Sequence, residues 1–549
     1  MYQFKFELSF ETEKGISFFT LTENTSNSYF DFKTAFCNNR LVATISPKST
    51  LKMLSAKTIT PWTCKKSDRI LLNGYQSWTD TRELTINDKM YGLKRVPKFI
   101  TSKFAFGSYG DYPFVNYSGK KGELHGFTFG YIRNEDIINF IGSLDESKGY
   151  TILKYSGTNQ LLTIEKECKS LEISTDFQIA DLAILSGKYD EVFDKWFQMQ
   201  TEYHNFKKTD AKPMCGYTSW YRHYEDISEE IIHKDLEGML SLPTKIDIFQ
   251  IDDGYETAVG DWLSVDKKKF PNGIKPICDS IHNHNMLAGL WLAPFVCETE
   301  SDIFQNHKDW LRKDENGSFI KCGSNWSEFY ALDLYNPDVI AYLENVFDTV
   351  LNKWGFDMVK LDFLYAADRV PTKEKTRGQQ MWEAMELLRK LCGNKLILGC
   401  GVPLAPAFGK VDFCRIGCDV SLDWDDKPYM RIMHRERIST KNTICDSIYR
   451  RGLNGRAFLN DPDVFLLRDE NIKLSKKQKN QLATVNGLFG SLWFTSDNCN
   501  LYTNEKKSFF VQVLKLNKAK NIKVTDNRKS VFIDYELEGK QNKLSIKLH

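Results

Sequence analysis

After Lys212 the chain repeats one pattern, a short apolar segment followed by a stretch with helical spacing. The apolar segments are MCGYTSW (214–220), KIDIFQID (245–252), LAGLWLAPF (287–295), FDMVKLDF (356–363), KLILGCG (395–401), DFCRIGCDV (412–420), RAFLNDPD (456–463) and SLWFTSD (491–497). Each is strand-length and rich in apolar residues, as a parallel strand covered on both faces must be. The helical stretches are ISEEIIHKDLEGML, a helix beginning near Pro271, NPDVIAYLENVFDTVLNKWG after a long insertion, 373–392, 433–451, 474–487 and SFFVQVLKLN. KLILGCG runs almost directly into DFCRIGCDV. Eight strand-then-helix units is the count that closes a (β/α)8 barrel.

A barrel of about 250 residues leaves much of this 549-residue chain for flanking structure. Residues 1 to about 200 alternate in short segments such as YQFKFELSF, GFTFGYIR and KSLEISTDFQIA, parted by Asn, Gly, Ser and Thr. That pattern predicts an antiparallel β-sandwich. It ends in a helix near Tyr189–Tyr203, EVFDKWFQMQTEY. Alternation returns in VFIDYELEG and KLSIKL. The expected division is a sandwich over 1–200, a barrel over 205–518 and a small antiparallel β module over 519–549.

Charge narrows the partners. Lys+Arg is 74 against 72 Asp+Glu, a formal net charge of +2. Such balance gives no electrostatic footprint for nucleic acid or an anionic membrane. No apolar run approaches a membrane span, and the first residues lack the apolar core of an export signal. The 13 Cys include no C-x-x-C pair, so neither a zinc site nor a disulfide framework is indicated. A cytoplasmic protein with reduced cysteines and no metal is expected. Gly399-Cys400-Gly401 is followed by Leu404 where a dinucleotide fingerprint has its third glycine, so no nucleotide cofactor is expected either.

Barrel chemistry sits at the carboxyl ends of the strands. Those ends carry Trp220, Asp252 with Asp253, Trp291, Lys360 with Asp362, Cys400, Arg415 with Asp419, and Asp461 with Asp463. Residues i and i+2 of a strand share a side, so Lys360 faces with Asp362 and Arg415 with Asp419. A cation beside a carboxylate keeps it ionised, as a nucleophile requires, whereas a proton donor needs a raised pKa. Two carboxyls about 5–5.5 Å apart on either face of a sugar ring define a retaining glycosidase. Trp220 and Trp291 are flat apolar surfaces on which such a ring could rest. Each aspartate also has an ordinary structural reading as a helix N-cap, and Asn460-Asp461-Pro462-Asp463 reads as a turn.

The stretches NGYQSW (73–78), QIDDGYE (250–256), GLWLAPF (289–295), YALDLYNP (330–337), KLDF (360–363), GCGVPLAPAFGKVDFCRIGCDV (399–420) and LNDPD (459–463) resemble the retaining α-galactosidases of glycoside hydrolase family 36. The resemblance spans most of the chain and implies the same sandwich, barrel and β tail. It implies Asp362 as nucleophile and Asp419 as general acid/base. Asp252 and Asp253 would bind O4 and O6 of galactose, Lys360 would lie near O3 and O4, and Arg415 near O2 or O3, steadying Asp362. Trp291 would wall the pocket, Trp78 would be lent by the N-terminal domain, and Cys400 and Gly401 would flank C2. Cys418 stands where Pro is the family pattern, and Tyr255 where many relatives have Trp. The implied activity is exo-hydrolysis of terminal α-galactose from small oligosaccharides, without cofactor. Alternatives are an α-N-acetylgalactosaminidase with the same machinery, a transglycosidase, or an inactive sugar-binding relative. Relatives include monomers and oligomers, so a homo-oligomer is compatible.

Overall fold

The computed structural model describes residues 3–13, 15–93, 96–425, 434–527 and 529–548. Two seven-stranded antiparallel sheets occupy the N-terminal part. Their facing sides bury Phe6, Leu8, Phe10, Phe30, Phe32, Met53, Leu153, Ile164 and Ile184 in one core. The second sheet is also covered on its other side. In strand Phe129–Asn134, Phe129 and Tyr131 point away from the sandwich core, while Ile132 points into it. This is the period-two consequence of a strand buried on both faces. The outward pair meets helix Tyr189–His204, whose Trp196 lies 5.2 Å from Phe129 and 5.1 Å from Phe140 by ring centroid. Trp196 also reaches Phe408 of the barrel at 6.0 Å. One amphipathic helix thus joins the sandwich to the barrel.

The barrel strands are Met214–Thr218, Ile248–Ile251, Leu287–Leu292, Met358–Leu361, Leu396–Gly399, Phe413–Arg415, Leu459–Asp461 and Leu492–Thr495. They form one eight-stranded sheet in which the first strand pairs with the eighth. A single parallel bridge, Val464 to Phe494, nearly closes the ring between the seventh and eighth. All eight predicted strands are therefore present. The helices begin later than the sequence suggests in places: Lys275–Asn283, Arg377–Cys392 and Thr440–Tyr449. Residue 433, where one predicted helix starts, lies outside the described residues. The predicted long insertion holds a three-stranded antiparallel sheet of Val296–Glu298, Lys321–Gly323 and Phe329–Ala331. The C-terminal sheet has strands Ser530–Leu537 and Lys540–Lys547, plus Lys520–Asp526, which the sequence reading did not separate.

Among the described residues, no helix is long and apolar enough to cross a membrane, and no group of three His, Cys, Asp or Glu could hold a metal. The cysteines are unpaired, and all but Cys37 are buried.

Candidate active site

Strand register decides which side chains meet. Gln250 is level with Gly289, Trp291 with Lys360, Lys360 with Leu398, Leu398 with Phe413, and Arg415 with Asp461. Residues level across parallel strands share a face, as do residues two apart along one strand. Asp252, Trp291, Lys360, Asp362, Cys400, Arg415, Asp461 and Asp463 therefore form one inward row at the carboxyl rim. Capping does not explain them. Among the described residues, the side chains that cap α-helices by accepting a backbone N–H are Ser228, Ser301, Asn336, Thr376, Ser439, Ser475 and Thr503, none of them a rim aspartate.

Asp362 is 8% exposed. The Phe363 amide donates to its Oδ1 at 2.8 Å and Trp291 Nε1 to its Oδ2 at 3.2 Å. Burial pushes its carboxyl above the ordinary range, Lys360 pulls it down, and Asp419 raises it again. Lys360 thus favours the ionised form as expected, but burial is the larger effect. Nor is Lys360 held by Asp362. Its Nζ donates to Asp252 Oδ2 at 2.7 Å, and Asp252 also accepts from Thr218. Burial opposes the Lys360 charge, but Asp252 and then Asp362 outweigh it and keep the ammonium protonated.

Arg415 meets Asp419, as its strand spacing suggests, but not Asp362, which the resemblance has it steady. The described contacts join its guanidinium not to Asp362 but to Asp419 at 2.8 Å, Asp461 at 3.0 Å and Asp463 at 2.9 Å. Three carboxyl groups share one cation, so charge is not balanced locally. Burial pushes Asp463 up to about 7, with Arg415 opposing and Asp419 and Asp461 adding. Tyr221, which the sequence reading passed over, donates to Asp463, as does the Val420 amide at 2.8 Å. The 460–463 segment is therefore more than a turn, although the Asp463 amide also donates to Asp461 Oδ1 in turn fashion. Trp220 begins helix Trp220–His223 and packs edge-on against half-exposed Tyr224 at 5.2 Å.

The sandwich contributes through the 73–78 loop. Trp78 Nε1 donates to Cys400 Sγ at 3.4 Å, and its ring stands edge-on to Phe363 at 5.3 Å. Gly401 has φ +55°, and a Cβ there would lie 2.9 Å from the Trp78 ring and 3.0 Å from the Phe363 nitrogen. Only glycine admits the indole so close to the nucleophile candidate. Burial, with Asp362 nearby, raises the Cys400 thiol well above its usual range, so it stays neutral. The loop is clamped by fully buried Arg450. Its guanidinium donates to Asn73 Oδ1 at 3.0 Å and to the carbonyls of Ser77, Ile416 and Gln76 at 2.6, 2.8 and 3.0 Å.

Asp253 belongs to the same mouth from another side. Trp326 of the inserted sheet donates Nε1 to its Oδ2 at 2.9 Å, and the Trp326 ring packs 6.0 Å from Trp291. Trp326 lies in a stretch without strand or helix periodicity, so sequence reasoning had no signal for it.

The arrangement is a cluster of largely buried acidic side chains at the barrel rim, with two fixed cations and the indoles of Trp78, Trp291 and Trp326 around it. Residues 179–389 match the description of one family, melibiase. That segment carries Asp252, Asp253, Trp291, Lys360 and Asp362, whereas Cys400, Gly401, Arg415 and Asp419 lie beyond it. An "A type blood alpha-D-galactosamine galactosaminidase" of Flavonifractor plautii is 33% identical over 174 residues, 28% of this chain and 16% of that protein. An α-galactosidase of Escherichia coli is 26% identical over 179 residues, 31% of this chain and 24% of that protein. The alignments thus cover under a quarter of either relative's length. The fold match is wider. An α-galactosidase from Thermus thermophilus solved with p-nitrophenyl α-D-galactopyranoside superposes with TM-score 0.72 at 23% identity, covering 93% of this chain and 98% of that one. The glycoside hydrolase family 36 α-galactosidase AgaA of Geobacillus stearothermophilus gives 0.60 at 12% identity, over 96% and 80%. The matched segment thus sits in a chain that shares the overall fold of those structures.

Proposed function

We propose that this chain is a retaining, exo-acting α-galactosidase that releases terminal α-linked galactose by double displacement. The observation that carries the reading is Asp362 at the rim, held by the Trp291 indole and the Phe363 amide, with Asp419 close enough to perturb it. Asp362 attacks the anomeric carbon to form a covalent glycosyl-enzyme. Its two donors favour the ionised form against the cost of burial. Asp419 protonates the leaving oxygen, then takes a proton from water for the second displacement. Arg415 orients Asp419 through its 2.8 Å contact. Asp252, fixed by Lys360, and Asp253, fixed by Trp326, bind the O4–O6 edge of galactose. A buried carboxylate without its hydroxyl partner is costly, which disfavours glucosides. Trp78 closes the ring from the sandwich side. Small oligosaccharides ending in α-galactose are the substrates, with no metal or organic cofactor, inside the cell.

A second reading has its own support. The Flavonifractor relative is named for a galactosamine substrate, and the residues that the family resemblance sets beside C2, Cys400 and Gly401, are small. One experiment separates the two. Hydrolysis of p-nitrophenyl α-galactoside is compared with that of the α-N-acetylgalactosaminide, and the first-formed anomer is followed by NMR. The proposal expects the galactoside to be preferred and α-galactose to appear first. β-Galactose as first product would remove the retaining mechanism, and preference for the acetamido sugar would favour the second reading.

A further inference from the structure

The stretch LNDPD (459–463) has no role in the reaction described above. Its last residue, Asp463, is buried and has φ +71°. A residue other than glycine keeps that backbone only where its surroundings fix it. Here the Asp463 amide donates to Asp461 Oδ1 at 2.9 Å, and the Asp463 carbonyl accepts from Asn486 Nδ2 at 3.2 Å. The fixed backbone sets the carboxyl among three groups. Oδ2 accepts from the Tyr221 hydroxyl and, at 2.8 Å, from the Val420 amide. Oδ1 lies 2.9 Å from Arg415 Nη2. Two of the three lead to Asp419. The Val420 amide belongs to the same peptide unit as the Asp419 carbonyl, which accepts from the Ser439 amide at 3.0 Å. Both polar atoms of that unit are thus held. Arg415 Nη1 in turn donates to Asp419 Oδ1 at 2.8 Å. Asp461 also pairs with Arg415, at 3.0 Å. Of these two carboxyls, in the described contacts, Asp463 alone also holds the peptide beside Asp419. Exposure shows why such holding matters: the Asp419 side chain is 31% exposed, against 3% for Arg415 and 1% for Asp463. The third group, Tyr221, is anchored elsewhere in the barrel. Its amide donates to Ser496 Oγ at 3.3 Å and its carbonyl accepts from Arg468 Nη2 at 2.7 Å. Tyr221 and Asp463 therefore tie the end of the first strand to that of the seventh, beside the seam where a single bridge joins seventh and eighth.

We propose that Asp463, steadied by Tyr221, is a positioning residue for proton donation: it fixes the peptide beside Asp419 and aims Arg415, so that the Asp419 carboxyl stays at the leaving oxygen. The proposal rests on the galactoside reading above and adds two residues that act on the sugar only through Asp419. A displaced Asp419 costs most where the leaving group needs its proton, and little where the group departs as a stable anion. A general loosening of the fold would lower both reactions alike.

The test compares kcat/KM for p-nitrophenyl and phenyl α-galactosides, close in shape but unequal in leaving-group strength. In Asp463→Ala the phenyl substrate should lose about tenfold more than the nitrophenyl one. Tyr221→Phe removes one hydroxyl and keeps the ring, and should move the same ratio in the same direction by about two- to tenfold. It keeps the test decisive if the alanine variant does not fold. In an Asp419→Ala background, Asp463→Ala should leave the ratio where it is, because the group being positioned is gone. Equal losses on the two substrates in either folded variant, or a further shift in the Asp419→Ala background, would overturn the proposal. Failure of the functional reading looks different. Wild-type protein that cleaves neither galactoside sinks the galactosidase assignment and the proposal with it. Turnover with an unmoved ratio in Asp419→Ala sinks the acid/base role of Asp419, on which the proposal stands.

Discussion

Replacing Arg450 with Leu should disable a site whose proposed catalytic carboxyls it does not touch. The side chain is fully buried, and its removal strips the described donors from Asn73 Oδ1 and from the carbonyls of Ser77 and Ile416. The Gly74 and Gln76 carbonyls keep other donors, the Asn73 amide at 2.9 Å and the Thr79 amide at 3.1 Å. Each orphaned buried acceptor costs about 1–3 kcal/mol. Asp446 also loses the nearby cation that opposes its burial. Relaxation and recovered hydration of the guanidinium reduce the total, leaving about 3–5 kcal/mol, the range for removing one member of a buried charged network. Two of the three orphaned atoms, Asn73 Oδ1 and the Ser77 carbonyl, lie in the 73–78 loop, so most of the cost falls on the segment that carries Trp78. Loosening that indole by about 1 Å should lower kcat/KM up to about 100-fold. Urea unfolding measures the first effect and p-nitrophenyl α-galactoside hydrolysis the second. A variant that loses stability but keeps wild-type kcat/KM would refute the claim that the sandwich helps build the site. One that loses neither would refute the clamp.

Two further substitutions probe the carboxyls. Trp291→Phe removes a hydrogen bond to the charged form of Asp362, so its pKa should climb by about one unit. Asp362 acts ionised, and activity fades as pH falls through its pKa. The acidic limb of the kcat/KM profile should therefore move to higher pH, and an unmoved or lowered limb would contradict the role given to Trp291. Asp419→Ala should slow galactosides with poor leaving groups far more than activated aryl galactosides. Equal losses on both would argue against an acid/base role.

The barrel was legible because its strands are buried on both faces, so they read as apolar runs with helical stretches between. Lys360 and Asp362 were placed on one side by strand period alone, and the structure does put both at the rim. Their pairings were not legible. That Lys360 is held by Asp252, and that Arg415 also meets Asp461 and Asp463, depends on register across strands distant in sequence. Arg450 looks like an ordinary helix-end arginine. Its burial follows because helix Thr440–Tyr449 is covered on nearly every side, which one sequence does not reveal. Trp326 sits in an insertion with no periodicity. Strand Lys520–Asp526 is largely polar, with Ile522 and Val524 as its apolar alternation, too short a signal to separate from a loop.

The double displacement itself is tested most directly by chemical rescue of Asp362→Ala. Turnover should vanish in that variant, and added azide should restore cleavage of an activated α-galactoside by entering the space the carboxylate leaves. The product should be the β-galactosyl azide. An unimpaired alanine variant, or rescue that yields the α-azide, would contradict Asp362 as the nucleophile.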